Sequence, residues 1–390
     1  MSETTVGVVG AGAMGAGIAH VVAAAGARAV LTDVRPGAAE AARSGIGDAL
    51  GRLVAKGRLA SDAAESTLAR IEVAGTLGDL PPCAVVVEAI REDLGDKQDL
   101  FAALEATQPR DALLATNTSS LDITAIAAAT HTPDRVVGLH FFNPAPVMRL
   151  VEVVHGRQTS QDTLERALAY VRAWGKTPVT CTSTPGFIVN RVARPYYGEA
   201  FRVLEEGLAS APEIDAALRG AGFPMGPFEL TDLIGQDVNL AVGTSVWEQT
   251  GRDPRYTPVR LQQDLVAHGH LGRKSGQGIY AYAADGSRVE EPGSEALAPG
   301  PSDPSTPAAS LTHDVVARTI AMLVNEAVDL VHRGEASEAD VDVAMQLGTR
   351  YPRGPVEWGR ELGFDVVARQ LAELDEAYPG GRYRPSPGLG

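Results

Sequence analysis

The segment Thr5–Gly15, with the alanine-rich stretch running on to Ala25, restricts the fold of this chain more than any other feature. A β-branched run, then Gly10-Ala11-Gly12-Ala13-Met14-Gly15, then helix-forming residues reads as strand, tight turn and helix. In such a G-x-G-x-x-G turn Gly10 permits the tight bend and Gly12 lets the backbone approach a pyrophosphate. Gly15 allows close helix packing, and the helix N-terminus offers N–H groups to phosphate. The next apolar run, Ala29–Leu31, leads to Asp33. A carboxylate there accepts hydrogen bonds from the adenosine ribose and repels a 2′-phosphate, which points to NAD rather than NADP. Arg35 softens that preference slightly.

Further apolar runs at Ala84–Val87, Ala112–Ala115 and Val136–Leu139 alternate with helical segments. This is the pattern of a parallel sheet covered by helices on both faces, an α/β Rossmann-type domain over residues 1–184. After Thr184-Pro185-Gly186 the apolar residues recur at helical spacing, so an all-α domain is expected over 185–282. Residues 283–312 turn to Gly, Ser, Pro, Ala and acidic residues and read as a linker. The last segment, 313–390, repeats the helical segment before the linker. At an offset of 127 residues Arg191, Glu199, Ala200, Gly207, Ser210 and Asp215 recur as Arg318, Glu326, Ala327, Gly334, Ser337 and Asp342. At 128, Pro224, Gly226, Pro227, Glu229, Gly235 and Asp237 recur as Pro352, Gly354, Pro355, Glu357, Gly363 and Asp365. The helical domain is duplicated in tandem.

A formal charge of -15 argues against nucleic acid or an anionic membrane as partner, since both require basic contact surfaces. A small anionic ligand held by a local patch is still compatible, and Arg43, Arg52, Lys56 and Arg58 cluster on the stretch after Asp33. The bland reading of that cluster is a solvated helix face. The two cysteines, Cys83 and Cys181, lack metal-ligand spacing, and the acidic start and short apolar runs lack a signal or spanning segment. No metal and a cytoplasmic location are expected.

Residues Val136–Val154 read as two apolar strands joined by a proline-rich turn. A hairpin centred on Pro146 sets His140 opposite Glu152, with Cβ atoms about 5 Å apart. The carboxylate would fix the imidazole tautomer and stabilise the imidazolium. A core histidine satisfied by an acid is the plain alternative, but removing hydride from an alcohol to NAD requires a base, and His140 is the candidate. Ser119 comes after the strand Ala112–Ala115, at the edge where open α/β sheets bind ligands; it could equally cap a helix, since Ser119-Ser120-Leu121-Asp122 resembles a capping box. Asn190 sits in a helical run where Asn has poor propensity, and its repeat counterpart is Ala317. Both are candidate donors to the reacting oxygen, the alternative for Asn190 being a packing hydrogen bond.

GAGAMGAGIA at 10–19, VVEAI at 86–90, NTSSLDI at 117–123, GLHFFNPAPVMRLVEVV at 138–154, PGFIVNR at 185–191 and GRKSGQGIY at 272–280 together resemble the 3-hydroxyacyl-CoA dehydrogenase family along essentially the whole chain. The resemblance implies NAD-dependent oxidation of an (S)-3-hydroxyacyl-CoA thioester, with His140 and Glu152 as catalytic dyad and Ser119 and Asn190 facing substrate. It implies NAD contacts from Asp33, Glu92, Lys97, Ser119, Asn143 and Lys274, while the basic cluster suggests Lys56 for CoA. STPGFIVNRVARPYY at 183–197, the duplication and RYRPSP at 382–387 are most similar to bacterial phenylacetate-pathway members that oxidise 3-hydroxyadipyl-CoA; 3-hydroxybutyryl-CoA is the other candidate. In single-copy members the helical domain is the dimer interface, so either a monomer with an internal pseudo-dimer or a homodimer is expected. Two rival readings stay open: a dehydrogenase of a free β-hydroxy acid, and a non-catalytic NAD-binding protein.

Overall fold

Valine, leucine and isoleucine occupy both faces of the central strands, so these can persist only with helices on either side. The computed structural model, which describes residues 4–289 and 315–390, shows this arrangement. Eight strands form one sheet: β1 Thr5–Val9, β2 Arg28–Thr32, β3 Ile71–Val73, β4 Val85–Glu88, β5 Leu113–Thr116, β6 Val136–Phe141, β7 Leu150–His155 and β8 Thr177–Thr182. Their order is β3-β2-β1-β4-β5-β6-β7-β8. The first six are parallel, in the arrangement of a doubly wound dinucleotide-binding sheet, with the strand order reversing between β1 and β4. Val6, Val8, Leu31, Val85, Val87 and Leu113 are fully buried, each contributing roughly 1.5–3 kcal/mol by leaving water.

Helix Ala13–Ala24 starts within the glycine turn, two residues earlier than the sequence suggests. Strands β3 and β8 were not among the expected elements. β7 runs antiparallel to β6 as the hairpin requires, and β8 extends the sheet parallel to β7.

The chain divides into two compact units, one ending at Phe187 and the other beginning at Ile188. The second contains both helical copies packed together. Of the expected linker and second copy, residues 290–314 lie outside the described residues. The repeated residues perform the same tasks twice. Asp215 accepts from the backbone N–H groups of Phe228 and Glu229 at 2.9 and 3.2 Å, and Asp342 from those of Val356 and Glu357 at 2.8 and 3.1 Å, capping equivalent helices. Gly226 and Gly354 recur because a Cβ on either would lie within 2.3 Å of the capping aspartate.

Across the contact between copies the pairing is reciprocal. Arg191 donates to Glu326 at 2.6 Å and to Asp329 at 2.9 Å, and also pairs with Glu335. Its repeat counterpart Arg318 donates to Glu199 at 2.6 Å and to Glu206 at 2.8 Å. Because residue 191 stands to 326 as 318 stands to 199, the two copies meet as an isologous pair does. The acids outweigh the cost of desolvating Arg191 and Arg318 and hold both guanidinium groups firmly charged.

Candidate active site

The C-terminal ends of β1, β2, β4, β5 and β6, near the point of strand reversal, carry most of the expected site residues of the first unit, with Glu152 on β7 and Lys56 at the end of the helix Ala38–Ala55. At β1, Gly10 has φ +104°, and a Cβ there would lie 2.4 Å from the Ala89 carbonyl oxygen. A Cβ on Gly15 would meet the Gly10 carbonyl oxygen at 1.7 Å, whereas one on exposed Gly12 would meet nothing within 4 Å. Gly10 and Gly15 are therefore imposed by the fold. Gly12 is not, and its open space at the start of helix Ala13–Ala24 is where a pyrophosphate would require a missing side chain. Ala13 and Met14 supply N–H groups of that first turn.

Asp33, just past β2, accepts from Ala11 N–H at 2.7 Å and from Arg35 N–H at 2.9 Å. Arg35 also forks onto it, Nε and Nη2 each at 3.0 Å. The Arg35 hydrogen bond, with help from the two backbone donors, holds this carboxyl far below the ordinary range despite partial desolvation. The Arg35 side chain is largely exposed, so a ribose diol can displace it.

At the end of β4 stands Glu88, a residue of VVEAI to which the sequence alone assigns no role. It is fully buried, accepts from Lys97 Nζ and Thr116 Oγ1 at 2.6 Å each, and from Ile90 N–H at 2.6 Å. Lys97 is itself buried and lies 3.4 Å from Glu92. Glu92 gathers the loop after β5, accepting from Thr118 Oγ1 at 2.5 Å, Ser119 N–H at 3.0 Å and Ser120 Oγ at 3.0 Å. Burial would raise its pKa, but the Thr118 hydrogen bond, Lys97 and the serine donors together lower it. The capping alternative for Ser119 does not hold: Asp122 caps the helix Ile123–Ala127, accepting from Thr124 N–H at 3.0 Å. Ser119 Oγ has no hydrogen-bond partner among the described residues and remains available to a ligand.

The β6–β7 register places His140 opposite Glu152, and Nδ1 lies 2.6 Å from Glu152 Oε2. Glu152 is fully buried and His140 is 7% exposed, its ring flanked by Phe142 and Phe187 at centroid distances of 4.5 and 5.8 Å. With Nδ1 held by the carboxylate, Nε2 is the nitrogen left for proton transfer. Asn117 is a positioning residue that sequence reasoning missed: its Oδ1 accepts from Phe141 N–H at 2.9 Å, tying β6 to the β5 loop next to His140. The turn between β6 and β7 carries exposed Asn143 and a cis Asn143–Pro144 bond. Lys176 binds its far side, donating to the carbonyl oxygens of Ala145 at 2.6 Å and Met148 at 2.8 Å.

The basic cluster separates. Arg43 donates to the Ile71 carbonyl at 2.7 Å and fastens its helix to the sheet, so it belongs to the fold. Arg52, Lys56 and Arg58 are exposed, Lys56 capping the helix Ala38–Ala55. In the second unit Asn190 lies half-buried in the short helix Val189–Val192, its carbonyl accepting from Arg194 Nε at 2.7 Å. Lys274, in the same unit, forks onto Asp237 at 2.6 and 2.8 Å.

The model of the 3-hydroxyacyl-CoA dehydrogenase NAD binding domain matches residues 5–184. That of the 3-hydroxyacyl-CoA dehydrogenase C-terminal domain matches twice, at 186–282 and 315–389. The chain belongs to the 3-hydroxyacyl-CoA dehydrogenase family. Among its relatives, 3-hydroxyadipyl-CoA dehydrogenase of Escherichia coli K12 is 41% identical, the match covering 98% of this chain and 95% of the relative. The mitochondrial hydroxyacyl-coenzyme A dehydrogenase of Homo sapiens is 44% identical over 70% of this chain and 90% of its own. A solved structure described as 3-hydroxybutyryl-CoA dehydrogenase from E. coli K12 aligns with a TM-score of 0.89 at 40% identity, covering 100% of this chain and 98% of that one. Members of this family are NAD-dependent oxidoreductases, and the open position at Gly12 together with Asp33 fits that cofactor. No helix among the described residues is long and apolar enough to cross a membrane.

Proposed function

We propose that this chain oxidises the 3-hydroxyl of a 3-hydroxyacyl-CoA to a ketone, with 3-hydroxyadipyl-CoA as its substrate and 3-hydroxybutyryl-CoA as the shorter alternative. The observation that carries the chemistry is the buried 2.6 Å pair of His140 and Glu152 at the end of β6. Bound NAD would supply the hydride acceptor. The turn Gly10–Gly15 would hold its pyrophosphate and Asp33 its adenosine ribose, with Glu92, Lys97, Ser119, Asn143 and Lys274 as further contacts.

His140 Nε2 takes the hydroxyl proton as the carbonyl forms, and Glu152 stabilises the resulting imidazolium through Nδ1. Ser119 Oγ and the Asn190 amide donate to the same oxygen and fix its place. Lys56, with Arg52 and Arg58, meets the CoA phosphates. The pairing of the helical copies supports a monomer, each copy covering the face a partner would otherwise cover. The buried Cys83 and Cys181, neither in a disulfide, support a cytoplasmic setting.

Initial rates with NAD and 3-hydroxyadipyl-CoA, 3-hydroxybutyryl-CoA or the corresponding free acids test this reading. Turnover only of thioesters, with kcat/KM greatest for the adipyl substrate, is the expected result. Equal turnover of the free acids would refute it.

A further inference from the structure

The paired helical copies contain an internal comparison, because every residue at one side of their contact has a counterpart at the other. Arg255-Tyr256, two residues before Pro258, corresponds to Arg382-Tyr383, two before Pro385, again at an offset of 127. The geometry agrees: Tyr256 OH donates to Glu326, and Tyr383 OH donates to its counterpart Glu199 at 2.6 Å. Each arginine also lies over its tyrosine ring, at 5.5 Å for Arg255 and 4.6 Å for Arg382.

The charges around the two arginines differ. Arg255 donates to Asp253 at 2.9 Å, to Asp329 at 3.1 Å and to Glu326 at 3.3 Å. The counterpart of Asp253 is Gly380, and that of Asp329 is Arg202. On this side both aspartates are gone and one position is reversed in sign. Glu199, the remaining acid, is already engaged by Arg318 at 2.6 Å and by Tyr383. Arg382 is left with a buried Nε that has no hydrogen-bond partner among the described residues. Arg202, 8% exposed, donates to the Thr257 carbonyl at 2.8 Å and has Nη1 3.8 Å from Glu199.

Where the acids are missing there is an open cavity of about 510 Å³, walled by Arg202, Arg260, Arg382, Gly380, Tyr378 and Glu205. Glu205 accepts from Leu261 N–H at 2.7 Å, and among the described residues Arg260 pairs only with Asp264, at 3.6 Å on the surface. The walls thus carry three arginines and one carboxylate, itself already committed, around a space of ligand size. The partly buried guanidinium of Arg382, with no acid of its own, gains from an acidic ligand. We propose that this cavity binds a small dicarboxylate, one carboxylate giving Arg382 the partner that Asp253 and Asp329 give Arg255 and the other reaching Arg260.

The test is thermal unfolding and calorimetric titration of the full chain, with NADH present, using succinate as probe and propionate at matched ionic strength as control. Saturable binding of succinate with a rise in Tm is expected, and weaker binding of propionate. Arg382→Gln and the surface change Arg260→Gln should each weaken succinate binding about tenfold or more. Arg202→Asp, which restores the carboxylate found at Asp329, should abolish the response. If Arg382→Gln or Arg202→Asp fails to fold, Arg260→Gln decides alone. Equal effects of propionate and succinate, or unchanged affinity in Arg260→Gln, would overturn the proposal.

Discussion

Replacing Glu152 by Gln keeps the shape of a fully buried side chain and removes its charge. In the native pair Nδ1 and Oε2 are 2.6 Å apart, which puts the centres of the carboxylate and of a protonated ring about 4 Å from each other. At an effective dielectric constant of about 20, that attraction is worth about 4 kcal/mol, or about three decades of rate. The amide dipole recovers part of it, but its NH₂ can donate to Nδ1 and drive the ring proton to Nε2, the nitrogen that must accept one. The expected loss in kcat is therefore about a hundredfold to a thousandfold. The assay is NADH oxidation by acetoacetyl-CoA, with NADH affinity measured separately by fluorescence and folding by Tm. Loss in kcat with NADH affinity unchanged supports the dyad; a drop of less than about tenfold would show that the charge of Glu152 does not serve His140.

Three further outcomes are expected from the geometry. Gly12→Val should fold with unchanged Tm and bind NADH at least about tenfold more weakly, whereas Gly15→Ala should lower Tm sharply because its methyl meets the Gly10 carbonyl at 1.7 Å; the pair is read by thermal unfolding and fluorescence titration. Asp33→Asn should raise KM for NADH and improve relative use of NADPH, because Arg35, released from its carboxylate, can meet a 2′-phosphate; an unchanged preference between the cofactors would count against that role. Burial alone would raise the pKa of Asp329, but Arg255, Arg333 and Arg191 lower it below the ordinary value of 3.8. Its stabilising contribution is complete above that value and is lost as pH falls through the lower folded-state pKa, so acid unfolding monitored by circular dichroism should be shallower in Asp329→Asn.

The His140–Glu152 pair was legible in the sequence because a two-stranded hairpin has only one free parameter, its centre, and Pro146 set it. The glycine turn was legible because Gly10 and Gly15 answer steric demands of the fold, which leaves Gly12 to be explained by a ligand. Glu88 was not, since within Val85–Glu88 a carboxylate reads only as the end of a strand; its partners Lys97 and Thr116 are distant in sequence. β3 is too short to show a pattern, and β8, with three threonines and a proline among its six residues, carries little hydrophobic signal. The correspondence of Arg255-Tyr256 with Arg382-Tyr383 escaped the repeat comparison because the offset returns from 128 to 127 after Asp365. Only the exchanged hydrogen bonds of the two tyrosines make that correspondence plain.

The crossed pairs Arg191–Glu326 and Arg318–Glu199 also bear on how such a contact changes over generations. In an assembly of two identical chains one codon is read at both sides of the axis, so every mutation is felt twice. Here each side has its own codon, and a change that would be ruinous in duplicate can be tried singly. Gly380 and Arg202, standing opposite Asp253 and Asp329, are what that freedom looks like once it has been used.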